Sequence, residues 1–125
     1  HTPDGLSWTV RMACQHQECY TGLAQDKDLL TPGFLMSPDH PMVVAAAGAV
    51  GRLDGGVGPA TVRPWTFATD GGWACGVHGI PTIGFAPGEE RYAHTNAERL
   101  SLGEARWAYD RHPRLIQAVQ EALAG

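Results

Sequence analysis

Residues 79–98 run Gly79-Ile80-Pro81-Thr82-Ile83-Gly84-Phe85, then Ala86-Pro87-Gly88-Glu89-Glu90-Arg91, then Tyr92-Ala93-His94-Thr95-Asn96-Ala97-Glu98. Their interpretation governs that of the whole chain. Ile80 to Phe85 is a short apolar run with β-branched and aromatic members, which predicts a strand. The Pro-Gly turn that follows would place the next residues at the carboxyl edge of a sheet, where open α/β folds keep their sites. His94 is therefore the first candidate for a ligand or a catalyst.

Working outward, Thr61 to Ala68 is a second apolar run, separated from the first by the Gly-rich stretch Asp70 to Gly79. Two buried-looking strands joined by one short helix predict parallel pairing, as in a three-layer α/β sandwich with a mostly parallel sheet. Upstream, Val43, Ala46, Ala47, Val50 and Leu53 recur at helical spacing. A helix is expected to open near Ser37 to Pro41, capped by Ser37 or Asp39, and to stop before Gly55 and Gly56. Downstream, Ser101 and Glu104 have the spacing of a reciprocal cap, and Pro113 interrupts the pattern. Leu115, Ile116, Val119 and Leu123 continue an apolar stripe, so the last third is expected to be two consecutive helices or one kinked helix. Ser7 to Cys14 alternates in polarity and predicts a half-buried strand, whereas Gln15 to Met36 is irregular and reads as an excursion linking two lobes.

Composition sets the outer bounds. The chain has 125 residues, sixteen Gly and nine Pro, enough for one core with many tight turns. A net charge of −4 with no basic run argues against a nucleic-acid partner. The longest apolar run, Met42 to Val50, is roughly half of what a membrane crossing needs, so no span is expected. Three cysteines, Cys14, Cys19 and Cys75, are an odd number in a chain large enough to dispense with disulfides, which favours a reducing cytoplasm. The sequence begins without Met and reads as a chain cut from something longer.

Gly79 to Glu98 resembles the closing segment of the zinc-dependent aminoacylase, carboxypeptidase and deacetylase family, the group of acetylornithine deacetylase and succinyl-diaminopimelate desuccinylase. That segment is a Gly-Ile-Pro-Thr strand, a Gly-Pro-Gly turn and an Ala-His-Thr with a Glu shortly after. Trp65 to Gly71 resembles the strand and Thr-Asp turn before the family's site, and Asp39-His40-Pro41 with its Val-Ala helix resembles the segment returning from the lid. Tyr20-Thr21-Gly22-Leu23 is similar to a lid-exit stretch. Ala86 departs from the family's usual glycine.

The resemblance implies a fold and a function. Residues 1–36 would close a ferredoxin-like lid and dimerisation domain and its return linker, and residues 37–125 would be the carboxy-terminal part of a phosphorylase/hydrolase-like catalytic domain. The activity implied is metal-dependent hydrolysis of a small acyl-amino acid, peptide or related amide by a metal-activated water, in a homodimer. His94 would bind one of two zinc ions, with cobalt or manganese as alternatives. The family's other ligands have no matching context here, so the isolated chain would be inactive. His1-Thr2-Pro3-Asp4 has the wrong spacing for the first ligand pair. A non-enzymatic alternative also stands: a truncated α/β module acting as a partner subunit or inactive remnant.

Several residues keep two readings. Thr69 and Asp70 either contact substrate or cap the following short helix. Asn96 is a candidate substrate contact, or it braces the His94 loop. Glu98 either braces that loop from outside the metal or is an ordinary acid at a helix start. Glu89, Glu90 and Arg91 read most simply as a solvated loop. Cys14, His16 and Cys19 lack the knuckle spacing of structural zinc.

Overall fold

The hydrogen-bonding needs of the backbone decide where the sheet forms. In the computed structural model, which describes residue 5 and residues 7–124, the chain makes two compact units, within His1–Thr31 and Pro32–Gly125. The first holds an antiparallel hairpin of β1 (Cys14–Glu18) and β2 (Ala24–Asp28), paired from Cys14 opposite Asp28 to Glu18 opposite Ala24. Gly22, at φ +82°, lets the chain reverse, and the Gly22 N–H donates to the Cys19 carbonyl at 2.9 Å. Positive φ costs glycine little. Every residue of both strands is exposed, and the cross-strand pair His16 and Asp26 adds a 2.8 Å contact between Nδ1 and Oδ1.

The predicted three-layer α/β sandwich is not found. Among the described residues the hairpin is the one sheet, it is antiparallel, and it has two strands. Of Ser7 to Cys14, expected as a half-buried strand, only Cys14 enters β1, and it is exposed; residues 7–13 are exposed and pair with nothing beyond a single bond from the Leu29 N–H to the Ala13 carbonyl. Thr61 to Ala68 and Ile80 to Phe85 carry no ladder at all. Their apolar character misled because a strand also needs neighbours for its amides. Pro64 and Pro81 each remove one donor. In Ile80 to Phe85 the apolar side chains are used differently: Ile83 and Phe85 pack on a helical core.

That core lies in the second unit between α1 (Pro41–Val50) and α2 (Leu102–Ala124). Ala46, Val50 and Leu115 form its centre, with Ala60, Ile83, Phe85, Trp107 and Val119 packed around them. Met42 is the largest fully buried side chain, at 2% exposure. The cap of α1 is His40, one residue later than Asp39: its Nδ1 accepts from the Met42 N–H at 3.2 Å. The helix ends at Gly51, at φ +67°, and Leu53 falls outside it, exposed. Just beyond, the Asp54 carboxylate accepts from Arg52 Nε and the Gly56 N–H, both at 2.9 Å, which pulls its pKa down to about 2.

α2 runs through Pro113 as one helix of 23 residues. Ser101 opens it, its hydroxyl accepting from the Glu104 N–H at 3.4 Å. Pro113 removes one bond of the ladder, and the turn before it is secured by side chains. The His112 ring is bonded at 2.8 Å to the Ala108 carbonyl, and Arg111 Nη1 donates to the Trp107 carbonyl at 3.3 Å. Arg111 Nε also donates to the Val50 carbonyl at 2.9 Å. It thus places a cation at the carboxyl end of α1, where orphan carbonyls favour positive charge. Arg111→Met keeps the stem over Trp107 but loses both donors, and is expected to cost about 1–2 kcal/mol, read as a lower urea midpoint at unchanged slope.

Candidate functional site

The loop bearing His94 is built by short-range polar contacts. A 3₁₀ turn, Glu90–Tyr92, leads in, and the Thr95 hydroxyl donates to the Tyr92 carbonyl at 2.7 Å while accepting from the Ala97 N–H at 3.2 Å. His94 takes φ +60°, the one positive φ outside glycine among the described residues. Histidine is among the side chains enriched in that left-handed region, although the conformation still carries strain. The Glu98 carboxylate receives the His94 N–H at 3.3 Å, closing the loop on itself. His94 is exposed, and its ring makes a T-shaped pair with the Phe67 ring, with centroids 5.0 Å apart at 73°.

Phe67 reaches His94 because a second, longer-range contact fixes its segment. Glu90 Oε1 accepts from the Thr66 N–H at 2.6 Å, across 24 residues of sequence, and Glu90 Oε2 lies 3.8 Å from Arg63 Nη2. The Glu90 side chain retains only 16% of its exposure. Hydrogen bonding from Thr66, with a smaller contribution from Arg63, holds its carboxyl below the usual range. A depressed folded value means that this contact contributes fully above the ordinary carboxylate pKa and is lost as pH falls through the lowered one. Beside it opens a cleft of about 770 Å³ lined by Arg63, Thr66, Phe67, Glu89, Glu90, Arg91, Ala93 and Thr95. Its charges are mutually compensated, since Arg91 pairs with Glu89 at 2.5 Å and Arg63 faces Glu90.

The remaining sequence candidates lie as follows. Thr69 and Asp70 stand at the start of a π-helical turn, Gly72–Val77. The Thr69 hydroxyl accepts from the Gly71 N–H at 3.2 Å, and the Asp70 carbonyl accepts from the amides of Trp73 and Ala74 at 3.1 and 3.0 Å. Both side chains are exposed, and Asn96 is exposed in the turn after His94. Structure therefore gathers His94, Glu98, Phe67 and Glu90, of which the last two escaped the sequence reading. A carboxylate bonded to an amide 24 positions away leaves no local signature, and Phe67 had looked like one more apolar residue of a strand.

The imidazole of His94 suits zinc as a nitrogen donor, and its exposure leaves it accessible. It can fill one position. Among the described residues no three His, Cys, Asp or Glu side chains converge as a metal-holding group. That includes Cys14, His16 and Cys19; the thiols of Cys14, Cys19 and Cys75 are unbridged. Cys19 Sγ instead lies 2.8 Å from the Thr21 hydroxyl, which lowers its pKa. The pair His1 and Asp4 lies outside the described residues.

Among known proteins, the chain is similar to an uncharacterized protein of Escherichia coli K12, YgeY, and equally to its counterpart in strain O157:H7. Identity is 39% over 90 residues, which is 72% of this chain. The chain spans only 22% of the length of these relatives. No family model matches the sequence, and no solved structure matches it.

Proposed function

We propose that these residues belong to a metal-dependent amidohydrolase that cleaves a small acyl-amino acid, peptide or related amide, and that His94 is one of its metal ligands. The observation that carries this reading is the His94 loop itself: an exposed imidazole on a left-handed residue, closed by the Glu98 carboxylate and flanked by Phe67. The closing segment Gly79 to Glu98, with its resemblance to zinc amidohydrolases, supports it from the sequence side. The relatives are much longer than the matched 90 residues, which leaves room in such a protein for the other donors.

The chain's own residues have distinct parts in this proposal. His94 supplies one nitrogen, and Glu98 holds the backbone that carries it. Two zinc ions, or cobalt or manganese, would supply a water of lowered pKa and a Lewis acid for the scissile carbonyl. Homodimerisation and a small-molecule substrate follow from the same reading, and neither nucleic acid nor membrane is invoked as a partner. No described helix is long and apolar enough to cross a membrane. Three unbridged thiols support a cytoplasmic location.

The test is metal content and turnover in a full-length protein carrying these residues. His94→Ala is expected to remove bound zinc from one site and to abolish hydrolysis of an N-acyl amino acid. Unchanged stoichiometry together with unchanged turnover would overturn the reading. The 125-residue chain alone is expected to bind zinc weakly and to hydrolyse nothing.

A further inference from the structure

We propose that Glu90 is a positioning residue for the His94 imidazole: by anchoring the Thr66 backbone it holds the Phe67 ring beside the imidazole and so restricts the arc that the His94 ring can sweep. The role rests on the reading of His94 as a ligand, and the geometry that supports it comes from three contacts. The Glu90 carboxylate is mostly covered and accepts the Thr66 N–H at 2.6 Å. Phe67 is the next residue, and its ring centroid lies 5.0 Å from that of His94 in an edge-to-face arrangement. On the other side of the same turn, the Glu98 carboxylate fixes the His94 N–H.

Two carboxylates thus act on one histidine by different routes. Glu98 fixes where the residue's backbone is. Glu90, through Thr66 and Phe67, limits where its ring can point. An exposed imidazole with a free χ1 would spread over staggered rotamers, whereas an edge-to-face aromatic neighbour favours the rotamer that keeps the contact. Groups that orient a ligand from outside the metal commonly do so through a hydrogen bond to its ring. Here the orienting contact is an aromatic ring whose own position is set by a charge.

The experiment reads the His94 ring protons of the 125-residue chain by NMR, without metal. Phe67 is expected to impose a ring-current shift on them, lost in Phe67→Leu. Glu90→Ala should lose the same shift, because Thr66 is released. Glu90→Gln should retain it, because the amide oxygen still accepts from the Thr66 N–H. Helical circular dichroism in each variant separates loss of the anchor from loss of the fold. A shift that survives Glu90→Ala in a folded chain overturns the proposal, as does one that Glu90→Gln abolishes as completely as alanine. Since no metal is present, failure here leaves the metal-content test on His94→Ala to stand or fall separately.

Discussion

Met42→Ala is expected to destabilise the helical unit by about 2–5 kcal/mol, the range for truncating a fully covered methionine. Met42 is the largest fully buried side chain and retains 2% of its exposure. It sits in the first turn of α1, directly after Pro41, and its own N–H is the one that His40 caps. Removing the side chain leaves a void at the point where the helix begins. Because α1 has Val43, Ala46 and Val50 as its other buried positions, three of its four covered residues are small or medium in size. They offer little material to collapse into the gap. Urea denaturation followed by helical circular dichroism measures the effect. A loss below about 1 kcal/mol would mean that the site relaxes and that Met42 is not held as described.

Gly72→Ala is expected to be nearly as costly, about 3 kcal/mol, for the opposite reason. A Cβ on Gly72 would lie inside van der Waals contact of the Pro32 carbonyl oxygen, and one on Gly76 would meet the Gly33 carbonyl in the same way. The obstacle is backbone, which cannot rotate aside as a side chain can. The segment Pro32–Phe34 therefore lies on a glycine face of the π-helical turn, with Cys75 Sγ 3.5 Å from Met36 Sδ just beyond. Gly48→Ala supplies the control. Gly48 lies within α1, and a methyl group added there would have open space for 4 Å around it. The same substitution at that position should therefore stabilise by about 0.5–1 kcal/mol through reduced unfolded-chain freedom. Opposite signs at the two glycines support the packing of Pro32–Phe34; equal signs would refute it.

The helices were legible in the sequence because their causes are local. Val43, Ala46 and Val50 recur at helical spacing and do face the core, as do Leu115 and, in part, Val119. Ile116 and Leu123 belong to the same stripe by composition but remain more than half exposed. Pro113 looked like a break; side-chain bonds from Arg111 and His112 to preceding carbonyls are what the sequence could not announce. The sheet was misread for a related reason. Periodicity reports that a run can bury side chains, and Ile83 and Phe85 do so. It does not report whether another strand stands beside them, and among the described residues none does. The hairpin was missed because β1 and β2 are exposed on both faces and so show no alternation to detect.

The site divides along the same line. His94 and Glu98 stand four residues apart, and the bond between them is a within-turn event. Their selection from sequence needed only a local motif. Phe67 and Glu90 enter through contacts that span 27 and 24 residues, and residue type alone gave Glu90 the appearance of a solvated acid.

The backbone of His94 has a consequence for how this position responds to selection. Glycine or asparagine would occupy φ +60° with less strain, by roughly 1 kcal/mol. A saturation library at this codon, sorted only for survival of heating, should therefore drift toward those two residues. Sorting the same library for the zinc binding proposed for the imidazole should hold histidine in place, so the two pressures can be pulled apart in one tube.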